Sequence, residues 1–77
     1  MVEAIVLVQA KVGQSSAVAQ AVGELEGVSE EYVVAGPYDV IVRVEADSLD
    51  ALARMVVSRI QAVEGVTRTL TCPIIGI

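Results

Sequence analysis

The chain has 77 residues, 55% of them hydrophobic, with ten Asp/Glu against five Lys/Arg, no histidine and one cysteine. A net charge of −5 repels a phosphate backbone and excludes direct nucleic-acid binding. A lone cysteine without histidine excludes an intrachain disulfide and a zinc site, and no apolar run approaches the roughly 18 residues of a membrane span.

One small domain over residues 1–77 is expected, and a chain of this size buries only about 60% of the surface it exposes when unfolded. A mean hydropathy of +0.68 is high for a soluble monomer, so part of the apolar surface is expected to face another chain. Met1-Val2-Glu3 carries no basic stretch ahead of its apolar residues, and a single free thiol suits a reducing compartment; a cytoplasmic protein is the expectation.

Residues 2–10 are β-branched or aliphatic on both alternating faces, as in a central strand covered on two sides. Gly13 breaks the run, Ser15 or Ser16 is placed to cap a helix, and Val18, Ala21, Val22 and Leu25 fall on one helical face. Gly27 suits the position just past the helix. Residues 28–35 then predict a strand whose polar start, Ser29-Glu30-Glu31, marks a sheet edge.

The same order repeats. Ile5-Val6-Leu7-Val8 aligns with Ile41-Val42-Arg43-Val44, and Glu26-Gly27-Val28 with Glu64-Gly65-Val66, the offset growing from 36 to 38 residues. Val40 to Ala46 predicts a second central strand; Asp47 or Ser48 caps a helix with a buried stripe of Leu49, Leu52, Val56, Ile60 and Val63. Gly65 ends that helix, and Val66 to Cys72 forms a last strand with Thr67, Thr69 and Thr71 on one face. Pro73 keeps that strand at an edge.

A βαββαβ order predicts an α+β, ferredoxin-like fold: a four-stranded antiparallel sheet with both helices on one face. The first and third strands are expected as parallel neighbours at its centre. Val6, Val8, Val42 and Val44 are assigned to the helix side. Ile5, Leu7 and Ile41 are left on an open side that predicts dimerisation through the sheet, a dimeric α/β barrel.

Chemistry-bearing groups are few. With no histidine, one cysteine and no nucleophile motif, acyl transfer and metal hydrolysis lack their usual groups, so no catalytic residue, metal ligand or cofactor is assigned. Cys72 reads as a small buried hydrophobe, and the cluster Glu24, Glu26, Glu30 and Glu31 as a solvated face. The turn Gly36-Pro37-Tyr38-Asp39 reads either as a plain Asx-type turn or as a small-ligand site. Tyr38 offers a ring wall, Asp39 a charge for an ammonium group, and Thr69 and Thr71 hydroxyls, a set that suits a zwitterion.

The G-x-Y-D-V-x-V pattern at Gly36 to Val42, followed by Glu64-Gly65-Val66-Thr67-Arg68-Thr69-Leu70-Thr71, resembles the effector-binding domain of the Lrp/AsnC transcriptional regulators, and the likeness covers essentially the whole chain. It implies a domain that dimerises through its sheets, assembles further into a ring (an octamer or decamer), and binds free amino acids between dimers. Carried over by position, it implies ligand contacts from Gly36, Tyr38, Asp39, Thr69 and Thr71. Those regulators carry an N-terminal helix-turn-helix, whereas Met1 here opens directly on the first strand. The expectation is therefore the stand-alone form, acting on transcription through a full-length Lrp/AsnC regulator as partner.

A rival from another class is a small dimeric α+β barrel enzyme, of the cofactor-free monooxygenase or isomerase type, acting on an anionic small molecule. Arg43 sustains it, since its repeat partner Leu7 is apolar. The plainer reading pairs Arg43 with Glu45 or Glu3.

Overall fold

A computed structural model describes residues 1–76. Four strands, β1 (Val2–Ala10), β2 (Val28–Val33), β3 (Val40–Ala46) and β4 (Val66–Pro73), form one sheet, with helices α1 (Ser15–Gly23) and α2 (Leu49–Met55) between them. The sheet order is β2-β3-β1-β4. This is the ferredoxin-like arrangement, and the two strands with polar or proline-bearing sequences stand at its edges.

The central pair differs from expectation in direction. β1 and β3 run antiparallel, with Val6 opposite Val42. The short connection from β2 forces β3 to reverse, and β3 then inserts between β2 and β1. β1 shares its direction with β2, and β3 with β4, but neither of those pairs is adjacent in the sheet.

The assignment of faces holds. Ala4, Val6 and Val8 of β1 and Val40, Val42 and Val44 of β3 are fully buried, packed against Val18, Val22, Leu52 and Ile60 of the helical layer. Each such valine contributes up to about 1.5–3 kcal/mol of transfer free energy. On the opposite side Ile5, Leu7 and Ile41 are half-buried, while Tyr32 and Leu70 are about half exposed.

Within α2 the buried residues are Leu52 and Met55. Leu49, assigned to the stripe from its spacing, is largely exposed, because it lies in the first turn of the helix and borders the open hollow beside Thr71 and Pro73 of the edge strand rather than the core. The helix continues as a π turn, Val56–Ile60, in which the Gln61 amide donates to the Val56 carbonyl. Three apolar residues spaced by four, Leu52, Val56 and Ile60, would drift about 40° per step around a regular α-helix; the wider turn offsets that drift and returns Ile60 to the core.

Ser48 caps α2, its hydroxyl accepting the Ala51 amide at 3.1 Å. Neither Ser15 nor Ser16 caps α1: Gln14 holds that position without a side-chain bond, since both serines already lie inside the helix.

Gly27 and Gly65 sit one turn beyond the helix ends rather than directly on them. In both halves an extra turn intervenes, closed by Leu25 to Val22 and by Val63 to Ile60. Gly65 has φ +97, and a Cβ there would lie 2.7 Å from Gln14 Oε1 and 3.0 Å from Val18 Cγ2. Its carbonyl accepts the Lys11 amide, as that of Gly27 accepts the Glu45 amide, both at 2.8 Å.

The internal repeat extends into the edge strands. Each begins with a bulge, between Val28 and Glu30 in β2 and opposite Gln9 and Ala10 in β4. At each bulge a hydroxyl donates to a central-strand carbonyl: Ser29 to Arg43 at 3.3 Å and Thr67 to Gln9 at 3.1 Å. The extra residue shifts the alternation, so Thr67 does not share a face with Thr69 and Thr71. Those two stand opposite Val8 and Val6, on the helix side.

Candidate functional site

The β2–β3 connection, residues 34–39, is pinned to the end of β1 by one residue. The Asp39 amide donates to the Val8 carbonyl at 2.9 Å, its carbonyl accepts the Val34 amide at 2.9 Å, and its carboxylate Oδ2 accepts the Ala10 amide at 2.8 Å. Val8 and Ala10 are the last inward residues of β1, so this contact fastens the turn to the sheet's centre. Gln9 adds a longer bond to the Pro37 carbonyl at 3.4 Å. Gly36 takes φ +155 with nothing within 4 Å of a Cβ position, which leaves the outer side of the turn bare backbone.

Tyr38 closes a hollow of about 250 Å³ with Leu7, Val34, Ala35, Gly36, Pro37 and Ile41. It opens on the helix-free face of the sheet. Thr69 and Thr71 line a different hollow, of about 330 Å³, between α2 and β4. The five residues thus divide into two groups: Gly36, Tyr38 and Asp39 come together at the turn, Thr69 and Thr71 lie on the other face, and one chain does not bring the groups to a single ligand.

Gln61, which carried no signal in the sequence, belongs with the threonines: its Nε2 donates to Thr69 Oγ1 at 2.8 Å. The contact joins the end of the π turn to the edge strand, and neither residue type nor periodicity announces it.

Arg43 donates to Glu3 Oε1 through Nη2 at 2.7 Å and Nε at 3.1 Å, and this bond raises its pKa above the ordinary guanidinium value. Both side chains are about 40% exposed. The cation on which an anionic substrate would depend is therefore already paired.

Tyr32 donates to Glu30 Oε2 at 2.9 Å. That hydrogen bond, reinforced by the charge of the same carboxylate, raises its pKa above the ordinary phenol value. Glu26 lies 3.8 Å from Arg59, and the Glu31 carboxylate rests against Gly23, where a Cβ would come within 2.6 Å of it. Cys72 is exposed rather than buried, since it stands opposite Ile5 on the open face of an edge strand. Among the described residues no group of three or more His, Cys, Asp or Glu side chains is placed to hold a metal ion, and no helix is long and apolar enough to cross a membrane.

The site thus consists of a ferredoxin-like sheet, a Gly-x-Tyr-Asp turn pinned to the end of its central strands, and an uncovered apolar face. Residues 3–76 match the family model of the Lrp/AsnC ligand binding domain, and the chain belongs to that family. It is 30% identical over 54 residues, 70% of its own length, to an uncharacterised HTH-type transcriptional regulator of Pyrococcus abyssi, of which it covers 36%. It thus spans about a third of the curated relatives it matches. Among solved structures it is similar to TTHA0845 from Thermus thermophilus, at 34% identity and TM-score 0.92 over 100% of this chain and 96% of that one. It shares the fold of the transcriptional regulator NMB0573 from Neisseria meningitidis, solved as an L-Met complex, at 14% identity and TM-score 0.85, covering 97% of this chain and 50% of that one.

Proposed function

We propose that this chain binds a free amino acid between two dimers of a ring assembly, an octamer or decamer, and modulates transcription in the cytoplasm through a full-length Lrp/AsnC regulator. Gly36 offers bare backbone to the ligand carboxylate, Tyr38 a ring wall, and Asp39 its remaining carboxylate oxygen to the ammonium. Thr69 and Thr71, from another chain, complete the pocket.

The observation that carries this reading is the division of the site between two faces. A pocket using all five residues requires a second copy, and ligand binding then favours whichever assembly holds the ligand more tightly. The half-exposed apolar face with Ile5, Leu7, Ile41, Tyr32 and Leu70 supports sheet-to-sheet pairing.

The test is native mass spectrometry of the purified protein with each of the twenty amino acids in turn. A ring of dimers that takes up one or a few of them is expected. A dimer that takes up none, at ligand concentrations up to the millimolar range, would sink the proposal.

A further inference from the structure

We propose that the hollow between α2 and the adjoining ends of β2 and β3 is a further ligand site, for a small organic anion whose carboxylate or phosphate is held between Arg54 and Arg59. Strand β3, about 20 Å long, separates it from the Gly36–Asp39 turn, and all its groups come from one chain.

The hollow has a volume of about 540 Å³, larger than either of those described above and within the range of small-molecule sites, roughly 300–1,000 Å³. Met55 lines it as a buried apolar floor. Its side chain rests against Gly27, where a Cβ would lie 3.2 Å from the sulfur. Ala46 and Ala51, both small, leave the space above it open.

Arg54 and Arg59 are five positions apart, and on a regular α-helix such residues lie about 140° from each other. The π turn Val56–Ile60 takes more residues to each turn and so reduces that angle; both arginines line this hollow. The wide turn that returns Ile60 to the core thus also brings two cations to one side of the helix.

Neither cation is firmly engaged. Arg54 makes no ion pair among the described residues, and Arg59 stands 3.8 Å from Glu26, beyond hydrogen-bond length, with the Glu26 side chain 92% exposed. So loose a contact is weak, and an incoming anion displaces it. The Ser58 hydroxyl spends its proton on the Arg54 carbonyl at 2.6 Å. The two guanidinium forks are then the side-chain donors left at this wall, and their planar geometry matches the paired oxygens of a carboxylate or phosphate. Glu45 alternates with buried Val44 and so turns its carboxylate to the open face of the sheet. Asp47, the other acid, lines the end of the hollow where α2 begins, and an amino or hydroxyl group on the body of the ligand suits it.

Calorimetric titration with inorganic phosphate, adenosine monophosphate, succinate and uncharged adenosine tests the site on wild type, Arg54→Gln, Arg59→Gln and Arg68→Gln. All three arginines are exposed, so the variants are expected to melt with wild type. At least one of the anions is expected to bind at millimolar concentration or below, and adenosine not to bind. Arg54→Gln and Arg59→Gln are each expected to weaken that anion at least about tenfold. Arg68→Gln, opposite Gln9 at the turn end of the sheet, is expected to leave it within about twofold. Glu26→Gln, which removes the competing carboxylate, is expected to tighten it. Should a glutamine variant not fold, the corresponding lysine variant, which keeps the charge and loses the fork, is read instead, with a weakening of about threefold or more. Tighter binding of the phosphates than of succinate assigns a phosphate ligand, and the reverse a carboxylate. Uptake of none of the anions, equal affinity for adenosine and its monophosphate, unchanged affinity in Arg54→Gln, or a loss in Arg68→Gln as large as in Arg54→Gln overturns the site.

Discussion

Asp39 and Ala10, 29 positions apart, are joined by a 2.8 Å hydrogen bond from the Ala10 amide to the Asp39 carboxylate. One side chain thus has two duties: it closes the end of the central strand, and in the proposed function it faces the ligand's ammonium. Substitutions separate them. Asp39→Ala removes the acceptor and leaves a half-buried amide unpaired, at an expected cost of about 1–3 kcal/mol in urea unfolding. Asp39→Asn keeps an acceptor oxygen and removes the charge, so its stability is expected within about 1 kcal/mol of wild type while ligand affinity falls by about 1.5–3 kcal/mol. Equal affinity in the Asp39→Asn variant and the wild-type protein, measured by calorimetry, would remove Asp39 from the site.

Gly65→Ala is expected to be among the most damaging single substitutions outside the valine core. The left-handed backbone there costs about 1–2 kcal/mol for any residue with a Cβ, and that Cβ would press on Gln14 and Val18. Gly13→Ala is the control: its φ is +80 but nothing lies within 4 Å, so only the backbone cost applies. Thermal melts of the two variants should differ, with Gly65→Ala lower; equal melting temperatures would mean that Gln14 swings aside without cost.

The Arg43–Glu3 pair should matter little to stability. Both partners are about 40% exposed, so solvent screening leaves the pair little weight, and less again in high salt. Arg43→Met is expected to unfold with the same midpoint as wild type at about 0.15 M salt. Steady turnover of any small anion that Arg43→Met abolished would overturn the regulatory reading of this protein in favour of catalysis.

Tyr32 provides a pH signature. Its folded pKa is raised by the hydrogen bond to the Glu30 carboxylate, above the value of about 10 in an unfolded chain. The phenol is neutral below its pKa, so the raised value means that the folded state holds this proton more tightly than the unfolded one. The contribution is fully present below pH of about 10 and is lost as pH climbs through the folded value. Ultraviolet titration should show a tyrosine ionising later than a free phenol, and Glu30→Gln should return it toward the ordinary value. A single ordinary transition for both tyrosines in wild type would argue against the bond.

Much of the architecture was legible in the residues because it follows from local periodicity. Alternating valines in Val6-Val8 and Val42-Val44 state which side faces the helices, and the repeated Glu-Gly-Val states that the same unit occurs twice. The Gly-Pro-Tyr-Asp turn was equally visible, as a cluster of residues with special backbone needs. Not legible was anything that depends on which elements become neighbours. Strand direction at the centre followed from β3 inserting between β1 and β2, and a one-residue bulge opposite Gln9 separated Thr67 from Thr69 and Thr71. Gln61 reached Thr69 through a π turn that residue spacing alone reads as ordinary helix.

By itself, then, the sequence determined the element order, the buried valine faces and the candidate turn, since each rests on the period of side chains along a single segment. Only the tertiary structure decided that Asp39 holds Ala10, that Arg43 is held by Glu3, and that the turn and the threonines occupy opposite faces. Those are contacts between residues far apart in the chain, and their partners are chosen by sheet order and register, which no single segment encodes.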